Sequence, residues 1–207
     1  MTKKSFIISS SGLNAIVFSP NDGSDNFKFI FGDKEVNMNT YLADFISPRV
    51  SQMHNIDPLV NFINIYDYIE GNKEISSIFN DSKVLDNFKY ISKGQMIEID
   101  EEMSYKLQYL SILIDNKELF NAMNKLYPIE CNNSNFDKII LYLQYFPKFE
   151  CQALLDNISS NFHLIDENKL LKFPHQFLYS VLSSNKLKLK SEDSLIKFIN
   201  KILSYEM

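Results

Sequence analysis

Few side chains in this sequence are able to do chemistry, and they are spread apart. Histidines stand only at 54, 163 and 175, and cysteines only at 131 and 151. No histidine sits at ligand spacing from another histidine or from a cysteine, so no zinc-type cluster can be read from the sequence. The one arrangement that folding could assemble is a thiol and an imidazole, Cys151 with His163 or His175, the activated nucleophile of a cysteine hydrolase. Cys151, however, falls on an apolar helical face with Leu154 and Leu155, where a thiol packs as an inert hydrophobe. Adjacent carboxylates at Glu101-Glu102 and Glu192-Asp193 could be imagined as acid and base, but both pairs open helices, where acidic residues already complement the macrodipole. The five glycines, at 12, 23, 32, 71 and 94, are too dispersed for a dinucleotide fingerprint or a phosphate-cradling loop. The expectation is a chain with no catalytic residue, no metal and no cofactor, and thus not an enzyme.

Bulk properties narrow the partners. The net charge is −5 and Arg49 is the only arginine, whereas nucleic-acid binders need a clustered basic face and favour arginine. Nucleic acid is therefore not expected. The run Lys186-Leu187-Lys188-Leu189-Lys190 reads as an extended loop with leucines inward and lysines in water, in place of a membrane or acidic-partner patch. No apolar run approaches the roughly 20 residues needed to cross a bilayer. Met1 to Ile8 lacks the pattern of a secretory leader, and two cysteines make no disulfide framework, which together predict a cytoplasmic or nuclear protein. A chain of 207 residues buries roughly 70% of its unfolded surface, so it needs no covalent staple.

The elements follow from periodicity and punctuation. Residues 1–26 form an extension with Leu13 to Phe18 as a candidate edge strand ahead of a turn-rich stretch. Phe27, Phe29 and Phe31 alternate as a strand, and Gly32-Asp33 turns the chain into a second strand, Lys34 to Met38. Asn39 or Thr40 caps a helix with Leu42, Phe45 and Ile46 on one face. That helix stops at Ser47, because a residue before proline leaves the helical region, and Pro48 opens a new short helix with Val50 and Met53 inward. Phe62, Ile63 and Ile65 read as a central strand, Ile75 to Tyr90 as a helix, and Met96 to Ile99 as a short strand. Asp100 caps a helix that packs on one side through Met103, Leu107, Leu110 and Ile114, and Asp115 with Glu118 marks the start of another.

Past a boundary between Tyr127 and Asn135 the pattern is helical throughout. Phe136, Ile139, Ile140 and Leu143 give one face, Pro147 starts a helix, and Cys151, Leu154, Leu155, Ile158 and Phe162 give another. Ser191 caps a last helix whose Leu195, Ile196, Phe198, Ile199, Ile202 and Leu203 call for a covering surface, from chain beyond Met207 or from another chain. Tyr66, Tyr68, Tyr142, Tyr145 and Phe146 are core aromatics at helical spacing, with one or two left for a contact.

Taken in order, Phe27 to Val36, Leu42 to Val50, Phe62 to Ile65, Phe88 to Ile99 with Gly94, and Leu107 to Leu119 resemble the hairpin, helix pair, strand, glycine turn and closing helices of a BTB/POZ domain. Leu170-Leu171-Lys172-Phe173-Pro174 and Ser191-Glu192-Asp193 resemble the "leucine-proline" and "serine-glutamate" openings of BACK-type helices. The resemblance implies an α+β fold: a BTB/POZ-like small sheet with surrounding helices over 27–127, then an all-α BACK-like region over 128–207. It also implies a non-enzymatic adaptor or self-assembly module that buries apolar surface on protein partners, itself as a homodimer included. The surfaces implied are Leu42, Phe45, Val50 and Met53 on the first helix pair, and His54, Ile56 and Leu59 in the loop after it. A substrate adaptor of a cullin-class ubiquitin ligase is the alternative. Where cullin-recruiting members place a hydrophobic residue, any residue and then glutamate, this chain has Met53-His54-Asn55 and Ile56-Asp57-Pro58.

Overall fold

The computed structural model describes residues 3–8, 26–69, 73–129, 136, 143 and 151–205. The protein is α+β, and it divides into two compact units, residues 1–127 and 128–207.

In the first unit the phenylalanine alternation acts as expected. Strand β2 (Phe27–Phe31) buries all three rings, while β1 (Lys4–Phe6) precedes it and β3 (Lys34–Met38) follows it across the Gly32 turn. Gly32 has φ +67° and lies against Tyr66, so a Cβ there would meet both backbone strain and the ring at 2.8 Å. Strand β2 pairs antiparallel with β3 and parallel with β4 (Phe62–Asn64). The order β3-β2-β4 corrects one expectation: among the described residues β4 lies at the edge with Phe62 exposed, β2 is the central strand, and Ile65 begins a 3-10 turn. The parallel pairing needs a crossover, which is supplied by α1 (Thr40–Ile46) and α2 (Pro48–Ile56). β1 pairs instead with β5 (Ile97–Ile99) in a separate two-stranded sheet. The strand expected at Leu13 to Phe18 lies outside the described residues.

The helix expected from Ile75 to Tyr90 is two helices, α3 (Lys73–Ile78) and α4 (Ser82–Ser92). Asp81 interrupts the run because its carboxylate accepts the Lys83 N–H at the start of α4. The next helix, α5 (Glu101–Leu113), does not pack on one side: everything from Leu107 to Leu113 is buried, against α4, β5 and α6 (Lys117–Leu126). Its buried polar groups reach backbone acceptors, Ser104 to Met123 O at 3.2 Å and Gln108 to Tyr127 O at 3.1 Å. Asp115 does not cap α6. It takes φ +59° and ends α5, where the N–H of Asn116 returns to Ser111 O and that of Asp115 to Ile112 O, the paired bonds of a Schellman close. Asn116 is the cap, accepting from Leu119 N at 2.8 Å.

The second unit is helical in its described residues: α7 (Gln152–Asn161), α8 (Glu167–Leu170), α9 (His175–Leu182) and α10 (Glu192–Tyr205). Aromatic rings bind it, with Phe173 against Phe136 and Phe177, and Phe162 edge-on to Phe198 at 5.6 Å. Ser191 and Ser194 exchange side-chain and backbone bonds at the start of α10, which is the expected cap. Leu187 and Leu189 are half-buried between exposed lysines, as the alternation requires. Ile139, Ile140, Pro147, Tyr142, Tyr145, Phe146 and Cys131 lie outside the described residues.

Candidate functional site

The break between α1 and α2 meets the break between α5 and α6, and each satisfies the other's orphan carbonyls. Ser47 accepts from Val50 N as the cap of α2 and donates to Ile114 O at 3.0 Å. Asn116 donates to Ile46 O at 2.7 Å, and Arg49 donates through Nε to Leu113 O at 2.8 Å. Helix ends leave carbonyls unpaired, so this exchange anchors α2 at its N-terminal end to the buried α5.

At its other end α2 runs into a turn held with similar care. Asp57 N–H bonds Met53 O at 2.8 Å and closes the helix; the Asp57 carboxylate then accepts the Leu59 N–H at 3.0 Å. The His54 ring, 11% exposed, spans the turn: Nε2 lies 2.8 Å from Val60 O and Nδ1 lies 2.5 Å from an Asp44 carboxylate oxygen on α1. Its face and edge are fixed further by Phe27, at 5.3 Å and 85°. Both ring nitrogens thus face oxygens.

On this frame Ile56 and Leu59 project into solvent at 87% and 88% exposure. Phe45 is 40% exposed, although it shares a helical face by spacing with the buried Leu42 and Ile46, and Tyr41 and Phe62 are exposed too. Of the residues expected at a contact surface, Leu42 and Val50 are buried in the core, Met53 and His54 are half-buried, and Phe45, Ile56 and Leu59 are exposed. Asp44 is the member that sequence reasoning missed. Only its place ten residues before His54 could have signalled it, and that spacing is no helical repeat, because Ser47 breaks the helix between them.

Comparison of the chain with family models, with curated proteins and with solved structures finds no match.

Among the described residues of the second unit, Cys151, His163 and His175 do not form a comparable site. Cys151 is 1% exposed at the N-cap of α7, and although a helix N-terminus favours a thiolate, a buried sulfur offers no approach to a substrate. His163 lies in the 3-10 turn after α7, beside a void of about 30 Å³ lined by Phe162, Ile165 and Phe198, and its Nδ1 is buried without a partner. His175 opens α9 at the rim of a cleft of about 410 Å³ floored by Phe173, Leu178 and Ile202, with Lys172 beside it. No group of three potential metal ligands occurs among the described residues, and among them no helix is long and apolar enough to cross a membrane. The phenol of Tyr109 is pushed up by burial within α5, and its place in the core makes it a packing group.

Proposed function

We propose that the chain is a protein–protein interaction module of BTB-BACK type, acting as an adaptor or by self-association and without covalent steps. The observation that carries the proposal is the pair Ile56 and Leu59, two large aliphatic side chains presented almost wholly to water by a turn whose backbone is already fixed. A contact made by a preorganised turn avoids the ordering cost that a loose loop would incur on binding. The order of elements in the first unit, a hairpin, a helix pair, a strand, a second helix pair, a glycine turn, a short strand and a closing helix pair, supports the BTB/POZ resemblance. The Phe173-Pro174 start of α9 and the Ser191 opening of α10 support the BACK resemblance. On this reading the protein works in the cytoplasm or nucleus, and cullin is one partner to test.

The test is sedimentation of the purified chain over a concentration series, beside the double variant Ile56→Asp/Leu59→Asp. The expected result is a wild-type assembly, with itself or with an added cullin, that the variant loses while its circular dichroism and melting stay unchanged. A wild-type chain that remains monomeric and binds no cullin, or a variant that assembles as well as wild type, would remove this surface from the proposal.

A further inference from the structure

The turn that follows Ile56 and displays Leu59 is closed by a histidine ring whose two nitrogens both face oxygens. A neutral imidazole has one N–H and one lone pair. At His54 both nitrogens meet oxygen: the Asp44 carboxylate at 2.5 Å and the Val60 carbonyl at 2.8 Å. The carbonyl accepts and never donates, so Nε2 must carry a proton to bond it. Nδ1 then needs a second proton, its own or one held on Asp44, because a lone pair facing a carboxylate is repulsive. Either way, satisfying both contacts at once takes one proton more than a neutral ring and a carboxylate hold between them.

The other contacts around the ring leave Asp44 as its ionic partner. From β2 the neighbour is the Phe27 ring, while Lys28 pairs with Glu35. From the turn it is the Val60 carbonyl, the Asp57 carboxylate being engaged by the Leu59 N–H.

We propose that His54 and Asp44 form a proton-dependent clasp: with the shared proton bound, the turn over 57–60 is locked and Leu59 is held beside Ile56 at the end of α2, and with the proton lost the turn is released. When the proton leaves, the charge-assisted Nδ1–H to Asp44 bond is the stronger of the two, so it is kept. The Nε2 lone pair is then turned on the Val60 carbonyl. The consequence for partner binding rests on the proposed function of this surface; the clasp itself does not, and it can be read on the chain alone.

The experiment is NMR of the full-length chain, following the His54 ring nitrogens and the Leu59 and Val60 amides from about pH 6 to about pH 8.5, the range over which histidine charge normally changes. The expected result is two protonated ring nitrogens at the acid end. On raising the pH, amide protection at Leu59 and Val60 should fall about tenfold beyond the intrinsic acceleration of exchange, the scale of one lost hydrogen bond. Asp44→Asn is the companion variant. Its amide can donate to Nδ1 while Nε2–H keeps the Val60 carbonyl, so its turn should stay protected across the range. A wild-type ring that is singly protonated at pH 6 with Val60 fully protected would overturn the clasp, as would Asp44→Asn showing the same pH response as wild type. Should the clasp hold while Ile56→Asp/Leu59→Asp leaves assembly intact, only the surface assignment fails.

Discussion

The turn after α2 and helix α10 both expose aliphatic side chains, and they do so in different ways. The turn after α2 holds Ile56 and Leu59 by hydrogen bonds reaching to α1, to Asp57 and into the α2 backbone, and α2 is itself tied to α5. Helix α10 exposes Ile196, Ile199 and Leu203 along one side, with Phe198 buried edge-on to Phe162 and Lys201 paired with Glu167 on α8. The comparison shows that exposure alone does not mark a binding surface, since isolated surface aliphatics are common. What separates the turn is that polar groups have been used to hold apolar ones out.

That contrast can be broken by removing the polar frame. His54→Ala should show the largest effect, since it strands the Asp44 carboxylate and the Val60 carbonyl and removes an edge contact to Phe27; about 2–4 kcal/mol is expected, read as a lower urea midpoint. Asn116→Ala should cost about 2 kcal/mol by deleting the α6 cap and leaving Ile46 O unpaired in a buried place, measured the same way. Lowering the pH should have a smaller effect. The hydrogen bond from Lys106 holds the Asp81 carboxyl below its ordinary value. Its stabilisation is therefore full above the unfolded carboxylate range and is lost as pH falls through the lowered folded value. A partly exposed pair of this kind is worth roughly 1 kcal/mol or less, and Lys106→Met should flatten the acid limb of a stability-against-pH curve by about that amount. Least affected should be Ile56→Asp/Leu59→Asp and Ile196→Asp/Leu203→Asp, each within about 1 kcal/mol of wild type because those side chains are more than half exposed. A larger loss for the α10 pair would mean that its stripe is covered.

Much of the first unit was legible locally. The Phe27-Phe29-Phe31 alternation, the Gly32 turn, the Pro48 break with its Ser47 cap and the Asp100 cap all depend on neighbours within four residues, and all appear where the sequence put them. What could not be read were the features set by distant partners. Phe45 shares helical spacing with Leu42 and Ile46 yet faces out, and α5 has a one-sided pattern in part of its length yet is enclosed. Asp115 looked like a cap by spacing but was claimed by the end of α5. Of the surface residues anticipated, Ile56 and Leu59 are exposed and Leu42 and Val50 are not, because an apolar residue carries no mark saying which side the rest of the fold will cover.

The sequence by itself determined where the chain turns, caps and breaks, because those properties reside in residue types and short-range backbone preferences. Tertiary structure alone decided that β2 is central, that the two helix breaks satisfy one another, and that Asp44, His54 and Val60 converge. Each of these depends on groups brought together by packing, and no spacing along the chain encodes which oxygen will meet which nitrogen.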